Sequence, residues 1–174
     1  MRIYRILPVL LMLSIISCNQ NQNNTSKDKQ IKLLKKMEIG KAQGVITKTS
    51  SQNFEDTYAA LVEIITNNPN LKIIAQLDHQ ANAKNVGEEL NPSRVIMFGN
   101  PRLGTPLMQN SQITGLDLPQ KILVWQDDIG NVSVSYNAPE FLKIRHGITN
   151  NEDVLATISK ALDNISKVAT GIKE

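Results

Sequence analysis

The chain has 174 residues, 20% of them charged and 4% aromatic, with a formal net charge of +3 and a single cysteine. Without Arg2 and Arg5, at the head of an apolar N-terminal run, 17 basic residues face 16 acidic ones. That balance excludes a nucleic-acid partner, whose phosphates need clustered Lys and Arg. A lone cysteine also excludes an internal disulfide, so the fold must rest on one hydrophobic core, chiefly of Ile, Leu and Val.

Two arginines, an apolar run from Ile6 to Ile16 and a small residue before Cys18 have the form of a secretory signal peptide. The eleven residues of that run include Pro8 and Ser14 and fall short of the ~20 needed to span a bilayer. Leu13-Ser14-Ile15-Ile16-Ser17-Cys18 resembles a bacterial lipobox. The resemblance implies cleavage after residue 17, attachment of diacylglycerol to the Cys18 thiol and further acylation, typically with palmitate. Each buried methylene contributes ~0.8 kcal/mol, so two or three acyl chains hold a protein where one does not. The partner so implied is membrane lipid, and the location is the extracytoplasmic side of the envelope, in the periplasm or at the cell surface. Residues 19–30 carry no apolar side chain and read as a tether. Three segments follow: 1–17 signal peptide, 18–43 lipidated cysteine and tether, 44–174 folded domain.

Gly44 to Ser50 alternates apolar and polar residues and reads as a strand. Asn53 with Asp56 forms a capping arrangement for a helix bearing Phe54, Tyr58, Leu61, Ile64 and Ile65, which ends near Asn67-Asn68-Pro69. Leu71 to Asp78 is a second strand, Ala81 to Leu90 a short helix broken around Gly87, and Arg94 to Phe98 a third strand. Gly99-Asn100-Pro101 turns into a helical piece reaching Met108, and Gly115 to Pro119 is irregular. Lys121 to Gln126 and Val132 to Tyr136 flank Asp128-Ile129-Gly130-Asn131 as a hairpin. Pro139 opens a helix through Arg145, and Asn150 with Asp153 caps a terminal helix whose face is Val154, Ile158, Ala161, Leu162, Ile165 and Val168. Five strands with a hairpin and no βαβ rhythm predict an α+β two-layer sandwich, an antiparallel sheet with helices packed on one face.

Phe54 and Thr57; Asp78-His79 with Ala83 and Gly87; Phe98-Gly99-Asn100-Pro101; Gly104-Thr105 with Leu107-Met108; Leu116-Asp117-Leu118-Pro119; and Tyr136 before Pro139 recur in this order. Together they resemble the family catalogued as domain of unknown function 302, over Gly44 to Lys173. The resemblance implies a compact α+β domain with an antiparallel sheet and helices on one face, prone to form homodimers. It implies no activity.

Five polar residues stand where loops meet strands: Asp78, His79, Asn100, Arg102 and Asp117. Asp78-His79 at a strand end either transfers a proton or binds a metal through His79, or merely caps the next helix, since Asp is a favoured N-cap. Asn100 and Arg102 at a helix start offer amides and a guanidinium to an anion, or only turn the chain. Asp117 between leucines is either an acid or base with a raised pKa or a pin for its loop. His146, beside Arg145 at a helix end, complements the helix dipole. Two histidines with no paired-ligand spacing predict no metal site, and the absence of a phosphate loop or nucleophile elbow predicts no cofactor. The reading favoured is a non-enzymatic envelope module binding a small ligand or ion at these five residues. The alternatives are a hydrolase or isomerase using His79 and Asp117, and a structural partner of another envelope protein.

Overall fold

The computed structural model describes residues 44–172. The expected signal peptide, Cys18 and tether lie outside the described residues. Five strands, β1 (Val45–Thr49), β2 (Lys72–Asp78), β3 (Ser93–Gly99), β4 (Gln120–Gln126) and β5 (Val132–Asn137), form one sheet in the order β1-β5-β4-β3-β2. Every neighbouring pair is antiparallel. The helices are α1 (Phe54–Thr66), α2 (His79–Asn85), α3 (Pro101–Asn110), α4 (Pro139–His146) and α5 (Glu152–Ala169), with a 3-10 turn at Gln112–Leu116. This is the α+β class that the sequence predicts.

The register fixes which side chains share a face. Ile96, Ile122, Tyr136 and Ile46 stand in one row, and Arg94, Val124, Val134 and Lys48 in another on the same face. The apolar members of these rows form the core with the buried faces of α1 and α5. On α1, the Asn53 side chain accepts from the Asp56 amide at 2.9 Å, and Phe54, Leu61 and Ile65 point inward. On α5 the buried face is Leu155, Ile158, Leu162, Ile165 and Ala169, whereas Val168 is exposed. Each fully buried Leu or Ile contributes about 1.5–3 kcal/mol, so this stripe is a main attachment of the helical layer to the sheet.

Two local expectations change. The helix after β2 begins at His79 and ends at Asn85, because Asp78 accepts from the Ala81 amide at 2.8 Å and starts the helix two residues early. The terminal helix starts at Glu152 without a side-chain cap. The residue before it, Asn151, is in the left-handed region at φ 72°, and its side-chain amide donates to the Pro106 carbonyl at 3.3 Å. Among the described residues no helix is long and apolar enough to cross a membrane.

Candidate functional site

The sheet separates the five predicted residues into two groups. Asp78 ends β2 opposite Arg94, while Lys72 begins β2 opposite Gly99, the neighbour of Asn100. Six residue steps at ~3.3 Å place these two ends of β2 about 20 Å apart. Asn100 and Arg102 open α3 at the Gly99 end, and Asp117 precedes Gln120, which pairs with Phe98 at that same end. Asp78 and His79 therefore do not join the other three in one cleft.

Asp78 has two structural duties. Besides capping α2, it accepts from Arg94 Nε at 2.7 Å, and Arg94 Nη1 donates to Glu55 Oε2 at 2.6 Å. The Arg94 guanidinium also lies 5.1 Å from the Phe54 ring centre and 5.5 Å from that of Tyr58. The Ala81 amide, and after it Arg94, hold the Asp78 carboxyl below its ordinary pKa. Arg94 is thus a clamp joining α1, β2 and β3, which sequence spacing could not reveal. Asn100 caps α3, accepting from the Arg102 amide at 3.0 Å, and the Arg102 side chain is exposed.

Asp117 has an imidazole partner, and it is His146. The carboxylate meets Arg145 Nη1 at 3.5 Å and, more closely, His146 Nε2 at 2.5 Å. The side chains are 12% and 3% exposed, so the pair is shut away from bulk water. Ser111 Oγ donates to the His146 carbonyl at 2.7 Å, and Gly147, at φ 62°, ends α4 in the left-handed region. These contacts lock the loop before β4 to the end of α4. The pair lines none of the described cavities. Among the described residues no group of three or more His, Cys, Asp or Glu is placed to hold a metal.

The most apolar concavity lies at the Gly99 end. It has a volume of about 320 Å³ and sits between the start of β2, the end of β3, α3 and the middle of α5. Phe98, Leu103, Met108, Leu118, Ile158 and Leu162 are among the apolar side chains that line it. A bulge in β2 between Ile73 and Ala75 leaves Ile74 at its rim. Of the five predicted residues only Asn100 borders it, whereas three of the quoted motifs do so: Phe98-Gly99-Asn100-Pro101, Gly104-Thr105 and Leu118-Pro119. Gly104 leaves room here, since a Cβ there would meet Leu118 Cδ1 at 3.5 Å. Gln120 also borders the cavity.

Over 129 residues the chain is 33% identical to a protein of Brucella suis biovar 1 (strain 1330) named fluoride-specific ion channel FluC 1. That match covers 74% of this chain and 50% of the relative. A protein of the same name from Brucella abortus biovar 1 (strain 9-941) is 33% identical, with 74% and 47% covered. The chain thus spans about half the length of these relatives. The crystal structure of an uncharacterized conserved protein from Bacillus stearothermophilus superimposes with a TM-score of 0.62 at 20% identity. It covers 74% of this chain and 99% of that one, a likeness of fold. The family model described as domain of unknown function DUF302 matches residues 46–165, and the chain belongs to that family.

Proposed function

We propose that this protein is a lipid-anchored envelope module, held through acylated Cys18, whose domain binds a small apolar ligand in the cavity at the Gly99 end of the sheet. The observation that carries the ligand reading is the cavity itself: about 320 Å³ walled by Phe98, Leu103, Met108 and Leu162, within the range of small-molecule sites. The five polar residues proposed from sequence do not converge, so binding centres on apolar burial instead. An enzyme built on His79 and Asp117 is the weaker reading, because Asp117 is engaged by His146.

The channel-named relatives support a place beside a membrane. The chain matches only half of each, and the matched region here has no membrane-crossing helix among the described residues. The chain also enters β1 from Gly44, at the same end of the sheet as the cavity, since Val45 pairs with Asn137 and Tyr136 with Ile122. A second copy of the chain is the partner proposed for the other sheet face, where Leu77, Val95 and Leu123 stand in register. Sedimentation showing only monomer at tens of micromolar would count against that dimer.

The test of the ligand reading uses the mature chain with Cys18→Ser and the neutral fluorophore N-phenyl-1-naphthylamine. Saturable fluorescence enhancement that is lost in Ala161→Phe, which fills the cavity, is the expected result. Enhancement unaffected by Ala161→Phe, or none at all, overturns it. Separately, labelling of cells with an alkyne palmitate analogue should mark the wild type and not Cys18→Ser.

A further inference from the structure

Gln120 is a polar side chain at the cavity that is buried with its amide donor unpartnered among the described residues. It begins β4 paired with Phe98, it is 8% exposed, and it borders the cavity beside Leu118 and Pro119. Its Nε2 is buried and has no hydrogen-bond partner among the described residues. A buried amide donor left unpaired forfeits its hydration with no return, so such groups are retained where something else satisfies them. The other such atom, Thr114 Oγ1, does not border the cavity.

We infer that Gln120 is the polar recognition group of this site, and that the ligand is an acyl compound: an apolar chain ending in a carbonyl or carboxyl oxygen that accepts from Gln120 Nε2. The inference rests on the cavity reading above and names its ligand class. The apolar part of the wall fits such a molecule. Phe98, Leu103, Met108 and Leu162 cover a hydrocarbon chain, and none of them offers a hydrogen bond to a second polar group. Lys72, Asn100 and Thr105 also border the cavity with side-chain donors, but among the described lining residues Gln120 alone carries a buried side-chain atom without a partner. A pure hydrocarbon would fill the space and leave the Gln120 donor unpaired, whereas an ester or acid of similar size satisfies it. Gln120 therefore favours the ester or acid over the hydrocarbon.

The experiment compares methyl octanoate with decane as competitors for bound N-phenyl-1-naphthylamine, in the wild type and in Gln120→Leu, which keeps the volume and removes the donor. The wild type is expected to prefer the ester about ten-fold, equal to 1.4 kcal/mol. Gln120→Leu should bring the ratio near one while binding decane as well as the wild type does. A ratio that is unchanged in Gln120→Leu, or that is near one in both proteins, overturns the assignment of Gln120 while leaving the apolar cavity standing. Absence of any fluorophore binding instead removes the cavity reading itself. Should Gln120→Leu fail to fold, Gln120→Met provides the same comparison with a flexible apolar side chain. Circular dichroism confirms which variant is folded before it is scored.

Discussion

The Asp117–His146 pair gives the sharpest stability test. Replacing His146 by Ala removes the imidazole at 2.5 Å and leaves a carboxylate that is only 12% exposed. Removing the partner of a buried hydrogen bond to a charged group costs about 1.5–3 kcal/mol. Here Arg145 remains at 3.5 Å, on a side chain that is half exposed, so its compensation is screened by water. A loss of about 2–3 kcal/mol follows, which for a domain of this size lowers the melting temperature by roughly 8 °C. Thermal and urea unfolding of the mature chain would measure it. A double-mutant cycle with Asp117→Asn isolates the pair, and His146→Gln, which keeps a donor, should recover part of the loss. A melting point within 2 °C of wild type for His146→Ala, or a coupling energy below ~0.5 kcal/mol, would refute the lock.

Other outcomes follow from single contacts. Gly44 has φ +78° and the Phe141 ring packs over its α-carbon, so Gly44→Ala should destabilise by about 2 kcal/mol in urea titration. Gly104→Ala meets only ordinary contact distance inside α3 and should be neutral or stabilising, by up to ~1 kcal/mol. The folded-state pKa of Asp78 is lowered, first by the Ala81 amide and then by Arg94. Its contribution is therefore present above the unfolded carboxylate pKa and is lost as pH falls through the folded value. The stability gap between wild type and Asp78→Asn should be constant above about pH 5 and close below about pH 4. Asn53→Ala, which removes the side-chain acceptor of the Asp56 amide, should cost about 1 kcal/mol by thermal melt.

Much of the fold is written locally. The α1 cap at Asn53, the hairpin around Gly130 and the apolar spacing of α1 are each set by residues within a few positions of one another, and all were legible in the sequence. The terminal helix start was not, because Asn151 is held by the Pro106 carbonyl, forty-five residues away in sequence. The site was less legible for the same reason. Asp78 caps a helix, as one of its two sequence readings has it, whereas Asn100, read only as a turn, also caps one, and strand register alone shows that they occupy opposite ends of the sheet. The pairing of Asp117 with His146 needs α4 folded against the loop before β4. The cavity is a product of β2, α3 and α5 meeting, and its signal in the sequence was a set of glycine- and proline-containing motifs rather than a cluster of polar residues. Gln120 carried no signal at all, since a glutamine at a strand start is ordinary until its neighbours are known.

Ligand binding in the cavity is the central property proposed for this domain. Methyl-resolved NMR of the mature Cys18→Ser chain, labelled at Ile, Leu and Met and titrated with methyl octanoate, tests it most directly. The methyl groups of Leu103, Met108, Leu118, Ile158 and Leu162 should shift together and saturate, while those of Ile129 and Ile144, exposed elsewhere on the surface, stay in place. Shifts confined to the exposed isoleucines, or no saturable shift at the cavity wall, would contradict the account.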